Sequence, residues 1–88
     1  MSYRYYIQRA SYEESEDPGE LFFSQAEWHR AVKALNDNPL LSEFTFSEGY
    51  ATFLAEEWTD TDPRIEIARQ LASQLNARIF GEEDEEYV

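Results

Sequence analysis

Cysteine is absent from these 88 residues, which excludes disulfides, thiolate metal sites and a cysteine nucleophile. Nothing therefore points to an oxidising compartment, and a cytoplasmic location is the expectation. Base is scarce as well: seven Lys and Arg face nineteen Asp and Glu, for a net charge of -12. Direct nucleic-acid binding rests on cations meeting phosphates, so this balance argues against it. Long apolar runs are missing, and the opening Met1-Ser2-Tyr3-Arg4-Tyr5-Tyr6 has no hydrophobic signal region. With a surface that anionic lipid would repel, no membrane partner is expected. There is a single histidine, His29, and neither a Gly-x-Ser-x-Gly elbow nor a P-loop occurs.

What the chain does have is acid, and it is segregated. Eighteen of the nineteen acidic residues fall in three stretches without any Lys or Arg, spanning 10–29, 34–63 and 79–88. Such a surface repels itself in the compact state and is best explained by a cationic partner that neutralises it. Hydrophobic residues make up 42% of the chain, and two Trp, six Tyr and six Phe recur along its length, so a folded single domain over 1–88 is expected.

Periodicity supplies the elements. Tyr3 to Arg9 alternates as a half-buried strand, β1. Residues 10–22 form an acidic loop. Ser24-Gln25-Ala26-Glu27 is a capping box, with Phe23 and Trp28 placed as a hydrophobic staple, so a helix, α1, starts at Ser24 and must stop by Asn38 before Pro39. Its apolar stripe is Trp28, Ala31, Val32 and Leu35, with Arg30 and Lys33 facing solvent.

Glu43–Phe46 and Tyr50–Trp58 read as strands β2 and β3 of a hairpin. A two-residue Glu48-Gly49 turn would pair Phe46 with Ala51 and keep one apolar face, but asks Glu48 for a positive φ; a three-residue turn from Ser47 would pair Phe46 with Tyr50. Either way Phe53 and Leu54 point to opposite faces. Asp62-Pro63 caps a second helix, α2, whose stripe is Ile65, Ala68, Leu71, Ala72 and Leu75 and which ends at Asn76. Ala77–Phe80 is strand β4, followed by an acidic tail over 81–88 that is as readily a solvated, frayed end as a site. The order β1-α1-β2-β3-α2-β4 predicts an α+β fold, a split β-α-β (ferredoxin-like) sandwich with two helices on one face of a mostly antiparallel sheet.

Catalytic chemistry has little to work with. His29 sits in the first turn of a helix and reads as a bystander, and Ser24 is a helix cap before it is a nucleophile; no catalytic residue, cofactor or metal site is expected. Neither Glu82-Glu83-Asp84-Glu85-Glu86 nor Glu56-Glu57 with Asp60 and Asp62 has the spacing of a calcium loop, and weak divalent cation binding is the most they imply. The partner-binding candidates are Glu56, Glu57, Trp58, Asp60 and Asp62, where an aromatic sits among carboxylates, with Glu13, Glu14, Glu16 and Asp17 as secondary steering charges. Trp58 is equally placed to close the end of the core.

The N-terminal aromatic strand, Phe23-Ser24-Gln25-Ala26-Glu27-Trp28, Asp37-Asn38-Pro39-Leu40, Leu75-Asn76-Ala77-Arg78-Ile79 and the Gly81-to-Tyr87 tail together resemble small acidic immunity proteins encoded beside polymorphic toxins, of the contact-dependent, Rhs or type VI secretion kind. The tail carries Asp84 where that group usually has glycine. The resemblance implies a non-enzymatic protein that binds one cognate cationic toxin domain, often a nuclease, and blocks its active site or substrate path. An acidic nucleic-acid mimic of the phage anti-defence type and a plain acidic adaptor are the alternatives; a homo-oligomer is possible but not indicated.

Overall fold

The computed structural model describes residues 2–11, 17–59 and 61–87. Its five strands are β1 (Tyr3–Gln8), β2 (Thr45–Ser47), β3 (Tyr50–Ala55), β4 (Arg78–Phe80) and β5 (Glu86–Tyr87), and its two long helices are α1 (Gln25–Ala34) and α2 (Pro63–Leu75). The sheet order is β2-β3-β1-β4-β5, with every neighbouring pair antiparallel. The first four strands with their helices make the expected α+β, ferredoxin-like split arrangement, and β5 adds an edge. Both helices cover one face of the sheet. Tyr5 and Ile7 from β1, Ala51, Phe53 and Ala55 from β3 and Ile79 from β4 share a single core with Trp28 and Ala31 of α1 and Ile65, Ala68, Leu71 and Leu75 of α2.

The three prolines explain much of the punctuation. Each follows an Asx residue whose side chain accepts from the backbone N–H two residues on: Gly19 N to Asp17, Leu40 N to Asn38 and Arg64 N to Asp62, all at 2.9 Å. Proline then occupies the first helical turn, where its missing N–H is not needed. Only the third of these was expected to open a helix. The other two open a single helical turn at Pro18–Leu21 and a 3-10 turn at Pro39–Glu43. The latter consumes Glu43, so β2 begins two residues later than expected, and β3 ends at Ala55, well before Trp58.

At α1 both halves of the capping box form, Glu27 N to Ser24 Oγ at 3.1 Å and Ser24 N to Glu27 Oε1 at 3.0 Å, and Phe23 stacks on Trp28. α1 closes at Ala34, and Asn36 and Asp37 take left-handed conformations just beyond it. Asn76 ends α2 in the same region, at φ 53°. Arg9 ties three elements: its guanidinium donates to the Leu75 carbonyl at the α2 C-terminus and to the Phe22 carbonyl, and pairs with Glu27 at the start of α1.

The hairpin resolves to the two-residue turn, pairing Phe46 with Ala51 and Ser47 with Tyr50. Glu48 accepts φ 57° to do so. A left-handed residue costs about 1–2 kcal/mol, less than turning Phe46 from the core to solvent, since a one-residue slip inverts every side chain of the strand. Leu54 then projects from the open face, 44% exposed.

The tail departs from the frayed alternative. Gly81 N donates to the Glu85 carbonyl at 2.8 Å and Asp84 N to the Gly81 carbonyl at 3.1 Å, closing a turn that returns Glu86 and Tyr87 onto β4. Asp84 adopts φ 62° at this turn, the conformation a glycine would supply there.

Candidate functional site: an aromatic groove edged with carboxylates

At the end of the sheet where β1 begins and β3 finishes lies an open groove of about 430 Å³. Tyr3, Tyr5, Trp58 and Tyr87 form its walls and floor; Glu56, Glu57, Glu83 and Glu85 edge it. No Lys or Arg lines it. These eight residues come from the first strand, from the six residues after Phe53 and from the last six of the described chain, and only the sheet order brings them together.

Alternation on β1 sets Tyr3 and Tyr5 on the helix-covered side, their rings edge to face at 5.1 Å. Tyr5 stacks on Phe53 of the core at 5.2 Å and meets Trp58 at 5.5 Å and Tyr87 at 5.2 Å. Trp58 and Tyr87 approach to 4.9 Å. Arg69, reaching from α2, lies 5.3 Å over the indole and pins it from the helix side. Trp58 is half-buried, so it both closes the end of the core and offers ring surface to the groove.

A latch holds the tail in place. The Tyr3 hydroxyl donates to Glu85 Oε2 at 2.8 Å and accepts from Glu82 N at 2.9 Å, while Glu83 N donates to Glu85 Oε1 at 3.0 Å. Gly81 leaves room for it: a Cβ there would collide with the Glu85 carboxylate and come within 2.8 Å of the Tyr3 hydroxyl. Burial and then the bond to Glu85 push the Tyr3 phenol up to about 12. Burial works against the charge on Glu85, but the Tyr3 hydroxyl and the turn's backbone donors outweigh it and hold its pKa below the ordinary value. Burial raises Tyr5 and Tyr87 too, with neighbouring negative charge adding to it. At neutral pH the walls are therefore neutral phenols beside a charged Glu85.

A second open cleft of about 410 Å³ adjoins the groove, shares Glu56 and Glu57 with it, and adds Glu43, Asp62 and Arg64. Here the candidates separate. Asp62 bonds the Arg64 guanidinium at 3.0 Å and caps α2, and the Arg64 bond is the main cause of its lowered pKa. Its carboxylate is thus occupied in holding the helix start, and Arg64 supplies a base where the sequence showed only acids. Asp17 caps Pro18–Leu21 and lines neither concavity. Glu13, Glu14, Glu16 and Asp60 lie outside the described residues.

Of the expected cluster, then, Glu56, Glu57 and Trp58 are assembled as a unit, joined by Tyr3, Tyr5, Glu83, Glu85 and Tyr87. The alternation of β1 put Tyr3 and Tyr5 on one side of the strand, but nothing local tied them to a tail over seventy residues away. His29 is exposed on α1, Ser24 is engaged as its cap, and among the described residues no group of three or more His, Asp or Glu is placed to hold a metal ion. Nor is any described helix long and apolar enough to cross a membrane. No protein family, curated protein or solved structure matches the chain.

Proposed function

We propose that this is a non-enzymatic cytoplasmic immunity protein, which binds a cognate basic toxin domain through the aromatic groove and blocks its active site or substrate path. The observation that supports this most is the groove's composition: four aromatic rings surrounded by four carboxylates with no cation lining it. Aromatic anchors inside a polar rim are the usual anatomy of a tight interface. Four acids, of which only Glu56 feels a base, Arg64 from the adjoining cleft, raise the encounter rate with a cationic surface, by roughly 10-fold to 10³-fold for well-steered pairs. A toxin that acts on nucleic acid has such a surface at its own site.

The test is the affinity for the C-terminal domain encoded immediately upstream of this gene, measured at low and high salt. A nanomolar Kd with a salt-sensitive association rate is expected. Glu56→Gln with Glu57→Gln should slow association, and Trp58→Phe, which keeps a ring in the stack, should speed dissociation instead. Absence of binding overturns the reading for that partner. Competition with nucleic acid for several unrelated basic proteins would favour charge mimicry, although the helices here carry cations, Arg30, Lys33, Arg64 and Arg69, where a mimic would set acids.

A further inference from the structure

The sheet face opposite the helices holds a smaller concavity of about 240 Å³, lined by Tyr6, Gln8, Tyr50, Phe80, Glu82 and Asp84. Alternation on β1 sends Tyr6 and Gln8 to this side, and the register places Phe80 beside Tyr6. The Tyr6 and Tyr50 rings stand 6.0 Å apart. Phe22 stacks behind Tyr50 at 5.9 Å, so the wall is backed by a residue anchored next to α1.

Gln8 is the anomaly. It is 1% exposed, and its Nε2 donates to the Ala10 carbonyl at 2.8 Å, while Oε1 has no hydrogen-bond partner among the described residues. The amide cannot be turned to remedy this, because doing so would set two carbonyl oxygens against each other. A buried acceptor without a donor costs stability, and an unbranched apolar side chain would fill the site without that penalty. The carbonyl therefore suits a donor that arrives from outside.

The Gln8 oxygen within accepts, Glu82 and Asp84 at the mouth are anions, and the Tyr6 and Tyr50 hydroxyls on the wall can accept as well as donate, so among the described lining residues no cation competes. The apolar surface is aromatic. A planar, donor-rich cation that stacks on rings answers both, and guanidinium is that group, whereas ammonium is a compact, more strongly hydrated point charge. The chain already sets one guanidinium on this wall, with Arg78 lying 5.2 Å over the Phe80 ring while paired to Glu86 at 2.5 Å. The volume is below the roughly 300 Å³ at which small-molecule pockets begin, and fits a single side chain.

We propose that this concavity receives the guanidinium of an arginine side chain of the basic partner, making a second contact on the face opposite the helices. The source of the arginine rests on the function proposed above; the guanidinium chemistry does not, and the two are tested apart. The probe is N-acetyl-arginine amide, titrated into the ¹⁵N-labelled full chain beside N-acetyl-lysine amide and N-acetyl-norleucine amide. Saturable shifts at the Gln8 side-chain amide, Tyr50 and Gly81 are expected with the arginine compound. The lysine compound should bind at least several-fold more weakly and the norleucine compound should produce none. Gln8→Met should abolish the shifts without lowering Tm, and Glu82→Gln with Asp84→Asn, both outside the core, should weaken them several-fold should Gln8→Met fail to fold.

Absence of saturable shifts, or equal responses to arginine and lysine, overturns the proposal. Full toxin-domain affinity in Gln8→Met overturns the arginine contact while leaving the groove reading intact. Should that domain not bind the wild type, the groove reading falls, and the amide titration alone decides the guanidinium chemistry.

Discussion

Truncating Trp58 tests whether the groove has the floor described. Trp58→Ala removes two ring pairs, with Tyr5 at 5.5 Å and Tyr87 at 4.9 Å, and the Arg69 contact at 5.3 Å. Ring pairs contribute about 0.5–1.5 kcal/mol each, and a cation over an exposed ring about 0.5–1 kcal/mol. These contributions overlap with the burial of the indole and do not add, so for a half-buried ring the change should cost about 2–4 kcal/mol, below the roughly 3–5 kcal/mol of a fully buried tryptophan. A domain of this size has about 4–13 kcal/mol in all, so the variant should remain folded but visibly weakened. Urea unfolding followed by circular dichroism reads this as a lower midpoint with an unchanged m-value. The sharper measurement is the cycle with Tyr87→Ala, where rings in contact should couple by about 0.5–1.5 kcal/mol. A cost under about 1 kcal/mol, or no coupling to Tyr87, would refute the description of Trp58 as the hub that joins tail to core.

Three further outcomes follow from the geometry. Glu27 is held down to about 2 from an ordinary 4.5, chiefly by the Ser24 backbone N–H and next by Arg9. A lowered folded pKa stabilises above 4.5 and that stabilisation is lost as pH falls through about 2, so Tm should fall more steeply for the wild type than for Glu27→Gln across this window. Gly49→Ala places a Cβ 2.6 Å from the Phe22 Cβ at φ +95°, and should destabilise the hairpin by at least about 1–2 kcal/mol in chemical unfolding. Gly81→Ala should break the Tyr3–Glu85 latch and free the tail, seen as hydrogen exchange of the β5 amides at least about tenfold faster while the β1 and β3 amides keep their protection.

The architecture was legible wherever one local rule and one apolar face agreed. The capping box at Ser24, the Asp62-Pro63 start, the left-handed stop at Asn76 and the alternation of β1 each needed only neighbours in sequence, and together they dictate the strand order. The hairpin shows where local rules yield: Glu48 is a poor residue for its turn, and the burial of Phe46 decided the register. The Asn38-Pro39 pair was read as a stop, although the same chemistry that opens α2 also opens the 3-10 turn. Three of the groove's eight residues were legible, Glu56, Glu57 and Trp58. The joining of the other five to them was hidden because a two-residue strand has no periodicity, and because the Tyr3–Glu85 bond spans nearly the whole chain. Asp62 was legible as the cap of α2, whereas its bond to the Arg64 guanidinium, two residues on, has no signal in the sequence.

The cations account for why the groove stays negative. Five of the seven have internal duties: Arg9 with Glu27 and two carbonyls, Lys33 with Asp37, Arg64 with Asp62 and the Leu54 carbonyl, Arg69 on Trp58, and Arg78 with Glu86. Each bonded acid lies at a helix end or a strand edge, where it completes a cap or fastens the chain. Among the described residues no ion pair joins these bases to the groove's carboxylates, and only Glu56 feels one of them, Arg64 across the adjoining cleft; the half-buried Glu85 is held by a phenol and by a backbone N–H instead of by Arg or Lys. A surface selected only for solubility would have no reason to keep cations from an aromatic concavity of this size. A hydroxyl latch orders the tail while preserving its charge, whereas an arginine latch would order it and cancel the field that a basic partner is to feel. The choice of Tyr3 for that task is thus what links the fold of the tail to the proposed use of the groove.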